Sequence, residues 1–141
     1  MRNIAIVYWS GTGNTEAMAE AIKNSVEEKG GNATLYEASD FSSNLIDNFD
    51  AIAFGCPAMG AEVLEEEEFE PMFSSCKPKL TDKDIALFGS YGWGDGEWMR
   101  NWEDECEEDG ITLCSSSVIC QDEPDNKAIE NCKNLASDLM N

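Results

Sequence analysis

At 141 residues, with hydrophobic side chains at 42% of positions, the chain is long enough for one three-layered core and reads as a single domain over residues 1–141. Twenty-nine acidic residues against nine basic ones leave a net charge of −20, which disfavours nucleic acid and anionic membrane and favours positively charged partners. No window reaches the roughly 18 apolar residues of a membrane span. The apolar run after Met1-Arg2 is too short for a signal peptide, so a cytoplasmic protein is expected.

The first element is the apolar run IAIVY (4–8), a strand, which passes through Ser10-Gly11-Thr12-Gly13-Asn14-Thr15 into a helix. Ala17, Met18, Ala21, Ile22 and Val26 recur at helical spacing on one face, and Gly30-Gly31 supplies the stop. ATLYE (33–37) follows as a strand, and 41–49 reads as a short helix or an irregular crossover. AIAFG (51–55) is the third strand, and it opens into GCPAMGAE (55–62) and then the acidic run EEEE (65–68). Phe69, Met72, Phe73 and Cys76 mark a helix that tolerates Pro71 only in its first turn. IALFG (85–89) is the fourth strand, and GSYGWGDG (89–96) the loop behind it. Trp98, Trp102 and Cys106 stripe a third helix, TLCSSSVIC (112–120) makes a weaker fifth strand, and Ala128, Cys132, Leu135 and Leu139 stripe a last helix after Pro124-Asp125.

Strands that alternate with helices and are apolar on both faces imply an α/β domain, doubly wound, with a parallel sheet covered on both sides. In such sheets ligands bind beyond the carboxyl ends of the strands, so the three glycine-bearing loops should face one crevice. The first loop places backbone N–H groups and a helix N-terminus at one point, an arrangement suited to an anion. The hydroxyls of Ser10, Thr12 and Thr15 and the amide of Asn14 add neutral donors. A purely structural turn is the alternative, but the density of hydroxyls favours a phosphate monoester. A nucleotide P-loop is excluded by the missing lysine, and a dinucleotide fingerprint by the spacing after Gly13. Trp93, set among glycines, is either a folded-in core residue or one wall of a site for a flat aromatic ligand.

The six cysteines are scattered without any C-x-x-C, and there is no histidine, so buried free thiols are expected and no metal site. The acidic residues Glu65 to Glu68, Asp95 and Glu97 fall at the same end of the sheet as the loops, where they suit partner docking.

YWSGTGNT (8–15), GCPAMGAEVLEEEEFEP (55–71) and ALFGSYGWGDGEWM (86–99), in that order, resemble the three cofactor loops of the short-chain flavodoxins over essentially the whole chain. Flavodoxins are themselves the standing example of the strand order 2-1-3-4-5 with FMN at the β1/β3 switch point, so a five-stranded sheet in that order is carried over from the family. The resemblance implies an electron-transfer protein rather than an enzyme, and FMN held non-covalently. Phosphate would lie against Ser10, Gly11, Thr12, Gly13, Asn14 and Thr15, with Trp9 beside it. Met59 and Trp93 would sandwich the ring, and Ala58, Gly60 and Ala61 would flank it. The Gly60 peptide would meet flavin N5 and Glu62 would accept from N3–H. Ser90 would sit near the ribityl chain, with Tyr91, Gly92 and Gly94 along the pyrimidine edge.

Two residues depart from the family pattern. Pro57 stands where relatives often carry a hydroxyl, and Ala61 where they commonly carry Asp, Asn or Gly. Acidic loops without Lys or Arg disfavour an anionic reduced flavin, so a low-potential monomeric carrier is expected, cycling mainly between semiquinone and hydroquinone with basic-surfaced redox proteins. The alternative is an FMN-dependent quinone or nitro reductase, which needs a substrate cavity over the ring. A receiver domain is excluded, because Ser10-Gly11, Cys56-Pro57 and Gln121-Asp122 stand where its acidic pair, Asp and Lys would be.

Overall fold

A strand that is apolar on both faces needs cover on both, and the computed structural model, which describes residues 2–141, supplies it. The elements are β1 (Asn3–Tyr8), α1 (Asn14–Glu28), β2 (Asn32–Glu37), β3 (Ala51–Gly55), α2 (Phe69–Cys76), β4 (Asp84–Tyr91), α3 (Glu97–Glu108), β5 (Thr112–Leu113), β6 (Val118–Gln121) and α4 (Asn126–Leu139). All strand pairs are parallel, in the order β2-β1-β3-β4-β5, and β6 also pairs with β4. The order is the expected one. All of β3 and most of β1 and β4 are buried.

Alternation along the strands sorts the core into two layers. Ile4, Ile6, Tyr8, Ala51, Ala53 and Ala86 meet Met18, Ile22 and Val26 of α1 and Cys132, Leu135 and Leu139 of α4. Ala5, Val7, Ile52, Phe54, Ile85 and Leu87 meet Phe69, Phe73, Trp98, Trp102 and Cys106 on the other face. Small alanines on the first face leave room for α1 and α4, whereas the second face is filled by edge-to-face rings such as Phe54–Phe73 and Phe69–Trp102.

Three local readings resolve. Pro71 is the third residue of α2, inside the first turn, where a missing N–H costs no helical bond. Segment 41–49 contains a 3₁₀ helix over Ser43–Asn48. Asp125 caps α4 by accepting from the Ala128 N–H at 2.8 Å.

The fifth strand is a correction: TLCSSSVIC is not one strand but two short ones, giving six strands among the described residues. Leu113 pairs with Ile85 and Val118 with Phe88, so five steps along one chain face three along the other. The two surplus residues must leave the ladder, and the serine-rich stretch between β5 and β6 is where they do so.

A β-carbon on Gly89 of β4 would lie 2.2 Å from the carbonyl oxygen of Cys56, the same oxygen that accepts from Trp98 Nε1–H at 3.1 Å. Backbone cannot yield as a side chain can. Gly89→Ala is therefore expected to destabilise the fold by about 3 kcal/mol, the upper end of overpacking costs. Urea unfolding measures it, and a loss below about 0.5 kcal/mol would mean that β3 and α3 shift freely.

Candidate functional site

The carboxyl ends of β1, β3 and β4 open on one side of the sheet, and the loops that leave them carry the expected residues. In the first loop Gly13 is the N-cap of α1, with a left-handed φ of 94° that glycine adopts without strain. A glycine cap also puts no side chain over the first-turn amides. The Ser10 hydroxyl closes the loop by accepting from the N–H of Gly13 (3.1 Å) and Glu16 (3.3 Å). The N–H groups of Gly11, Thr12, Asn14 and Thr15 have no acceptor among the described residues. Four unpartnered donors at the positive end of a helix form a cradle for an anion.

Thr15 is placed differently from its neighbours. Its side chain is 1% exposed, and its Oγ1 is bonded to Ser90 Oγ (2.8 Å) while accepting from the Ser90 N–H (3.3 Å). It ties α1 to the end of β4 rather than facing solvent. Trp9 lies close enough to the loop that a β-carbon on Gly11 would meet its ring at 3.2 Å, and its Nε1–H donates to Glu68 Oε1 at 2.9 Å. Beneath it the Tyr8 hydroxyl donates to Glu16 (3.2 Å), and burial together with that carboxylate pushes its pKa up to about 12.

The second loop begins as a continuation of the sheet, with the Ala58 N–H donating to the Ser90 carbonyl at 3.0 Å. Met59 and Val63 then exchange two backbone bonds (2.8 and 3.0 Å), closing a loop whose tip is Gly60-Ala61-Glu62. The tip is one residue longer than a two-residue turn centred on Gly60-Ala61. Gly60 has φ 50° and Glu62 φ 56°, whereas Ala61 avoids positive φ. The Glu62 carboxylate accepts from the Glu97 N–H at the start of α3 (3.2 Å) and stands where a β-carbon on Gly94 would be, 2.7 Å away. The second and third loops therefore touch through Glu62.

A cleft of about 220 Å³ gathers Trp9, Gly11, Thr12, Asn14, Ala58, Met59, Ser90, Tyr91 and Gly92 from all three loops. No Lys or Arg lines it. Ser10, Gly13 and Thr15 adjoin its lining residues in the chain but do not line it. Gly60, Ala61, Glu62, Trp93 and Gly94 do not line it, and Trp93 is 64% exposed, so it is not the folded-in core residue of the alternative reading. Pro57 and Asp122 line the cleft and were not among the expected site residues. Asp122 follows β6 with φ 58° and donates its N–H to the Tyr91 carbonyl at 2.8 Å. Its position just past a strand's carboxyl end was the available clue.

The acidic run divides. Glu65 is buried, and its carboxylate accepts from the N–H groups of Glu67 (3.0 Å), Glu68 (2.8 Å) and Phe69 (2.8 Å). Burial alone would raise its pKa, but the three N–H bonds outweigh that and hold it below the usual carboxylate range. Glu65 thus belongs to the fold, not to a docking rim, and Glu68 is engaged by Trp9. Glu62, Asp95 and Glu97 bring carboxylate oxygens within 4.8 Å of one another. Cys56, Cys76, Cys106, Cys114, Cys120 and Cys132 are all free, with thiols pushed up to about 11 or 12 chiefly by burial.

A sequence model of the family described as flavodoxin matches residues 6–134. The chain is 45% identical to the flavodoxin of Clostridium beijerinckii over 136 residues, covering 96% of this chain and 98% of that one. It is 44% identical to the flavodoxin of Megasphaera elsdenii over 132 residues, 94% of each. The solution structure of two-electron reduced Megasphaera elsdenii flavodoxin superposes with a TM-score of 0.86 at 43% identity, over 95% of this chain and 98% of that one. An archaeal flavodoxin structure at 28% identity gives 0.83 over 97% and 95%. The match of sequence and fold extends over nearly the whole chain: the chain belongs to the flavodoxin family, and with it to the flavin-dependent electron carriers rather than to the enzymes.

Proposed function

We propose that this protein is a low-potential one-electron carrier that binds FMN non-covalently and works mainly between the one-electron and two-electron reduced forms of the flavin. The observation that carries the reading is the set of unpartnered N–H groups of Gly11, Thr12, Asn14 and Thr15, at the mouth of a cleft without a cation. Those donors, with Thr12 and Asn14 side chains, fit a phosphate dianion. Trp9 covers the phosphate side. Met59 and the exposed Trp93 would take the two faces of the ring, the Gly60 peptide would meet N5, and Glu62 would accept from N3–H. Ser90 would lie by the ribityl chain, with the backbone of Tyr91, Gly92 and Gly94 at the pyrimidine edge.

Bound flavin supplies the electron storage; the protein sets how readily it takes charge. The carboxylates of Glu62, Asp95 and Glu97 crowd one side of the loops, so adding negative charge to the ring is disfavoured and the potential falls. Differential stabilisation of about 1.4 kcal/mol moves a one-electron couple by about 59 mV. A basic-surfaced redox protein is the partner expected, and a cytoplasmic monomer the form. An absorption spectrum of the purified protein tests the reading: flavin bands support it, and an apoprotein that takes up no FMN refutes it. Rapid NADH-dependent turnover of quinones would favour the reductase reading instead.

The 60–62 tip gives a second test. Positive φ at Gly60 costs glycine nothing and an alanine roughly 1 kcal/mol. We assign this arrangement to the state that offers a carbonyl to N5–H of the reduced ring. Gly60→Ala should then lower the oxidised to one-electron couple by about 40 mV. Ala61→Gly frees the alternative turn, with positive φ at residue 61, and should lower it by about 20–30 mV. Redox titration decides, and an unchanged couple in Gly60→Ala would show that the tip does not respond to reduction.

A further inference from the structure

Among the described residues, one buried side-chain nitrogen or oxygen has no hydrogen-bond partner: Nε1 of Trp102. Trp98, four residues earlier on α3, differs, since its indole N–H donates to the Cys56 carbonyl at 3.1 Å. Both rings are 1% exposed. Phe69 and Phe73 of α2 meet the Trp102 ring edge-to-face, at centroid distances of 5.4 and 5.6 Å, and offer it carbon rather than an acceptor. An indole N–H left unpaired in such a place gives up its hydration for nothing, which native cores almost always avoid.

Trp102 also lines a cleft of about 450 Å³, between α3 and the stretch 62–70. The polar lining is Glu62, Glu66, Glu70, Asn101 and Glu105. Two of these carboxylates are engaged: Glu62 accepts from the Glu97 N–H (3.2 Å), and Glu105 holds Lys77 Nζ (2.8 Å). Glu70 accepts from the Ser74 hydroxyl through Oε1 (2.9 Å), which leaves its other oxygen open. The Glu66 carboxylate accepts no hydrogen bond among the described residues, and both Glu66 and Glu70 are exposed.

These surroundings select the partner of the indole. The N–H donates, so its partner must accept, and a cation cannot. An anion would meet four carboxylates. A carboxylate of the cleft, turned down onto the ring, would carry its charge from solvent into aromatic core, a desolvation cost that one hydrogen bond does not return. A neutral oxygen that accepts from the indole and donates to carboxylates meets every condition. With the ring 1% exposed, that oxygen belongs to something no larger than water.

We propose that the floor of this cleft is a binding site for a single ordered water. Its oxygen would accept from Trp102 Nε1–H, and its two protons would go to Glu66 and to the open oxygen of Glu70. Three hydrogen bonds are the usual number for a buried water. The carboxylates keep their contact with solvent while the donor is satisfied. Such a water ties α3 to the first turn of α2 and to the stretch before it. Glu62 makes a second link between the same regions, through its bond to the Glu97 N–H at the start of α3. The site owes nothing to the flavin and stands apart from the electron-carrier reading.

The test is NMR of the full-length protein with isotope-labelled tryptophan, recording cross-relaxation between water and the indole N–H protons. Trp→Phe variants assign the signals. The Trp102 indole should show a water cross-peak with the sign of slowly exchanging water. Trp98, bonded to the Cys56 carbonyl, should show none. Ser74→Ala removes the one hydroxyl bonded to a lining carboxylate, whose exchangeable proton could imitate water, and should leave the cross-peak intact. Glu66→Gln with Glu70→Gln keeps accepting oxygens and should preserve it. Glu66→Leu with Glu70→Leu, at exposed positions that the fold tolerates, removes both acceptors and should abolish most of it. Absence of the cross-peak at Trp102, the result if a carboxylate accepts from the indole directly, would overturn the proposal. So would its loss in Ser74→Ala, its persistence in the double leucine variant, or an equal cross-peak at Trp98.

Discussion

FMN is expected to bind at least about a thousandfold more tightly than riboflavin, the largest effect anticipated for this protein. The two ligands differ by one phosphate, and in the proposed site that phosphate would face four N–H groups that otherwise have no acceptor, at the N-terminus of α1. Hydrogen bonds to a charged group contribute about 1.5–3 kcal/mol each, less the cost of taking the dianion from water. A net of about 4 kcal/mol corresponds to that thousandfold. Thr12→Ala should cost about 1–3 kcal/mol of FMN affinity and little of riboflavin affinity. Thr15→Ala should act differently, because its hydroxyl is bonded to Ser90 Oγ at 2.8 Å: it should weaken both ligands and destabilise the fold. Fluorescence titration of the apoprotein separates these outcomes. Equal affinity for FMN and riboflavin would sink the phosphate assignment.

What the sequence could show depended on how local the cause was. IAIVY, AIAFG and IALFG are apolar at every step, a pattern that only doubly covered strands satisfy, and all three lie in the buried sheet. The glycine at position 13 and the hydroxyls around it announce an anion cradle because the donors sit in one short loop. By contrast, the break between β5 and β6 arises from a two-residue mismatch against β4, and no pattern within 112–120 reports its partner's register. Nor does a run of four identical glutamates say which of them turns inward. Glu65 does so because three amides at the start of α2 converge on it, a fact of tertiary geometry. Asp122 escaped for the same reason: it enters the cleft only through the pairing of β6 with β4.

Glu65 is where that difference becomes measurable. Its carboxylate satisfies three of the donors left open where α2 begins, its N–H reaches Cys56 Sγ at 3.4 Å, and its carbonyl accepts from Glu70 at 2.9 Å. It thereby pins the stretch between the 59–63 loop and α2. Glu65→Ala leaves those donors, one buried and two part-buried, without their acceptor and should cost about 3 kcal/mol. Glu65→Gln keeps one accepting oxygen and should cost about half as much. The sign with pH follows from the depressed carboxyl pKa in the folded protein. The stabilisation is fully present above the unfolded-state value of about 4.3 and is lost as pH falls through the lower folded value. The stability gap between the native protein and Glu65→Gln should therefore be widest near pH 7 and close progressively below about pH 4.3. Urea unfolding of both proteins across that range measures it. A gap independent of pH would place the stabilisation in the packing of the side chain, not in its charge.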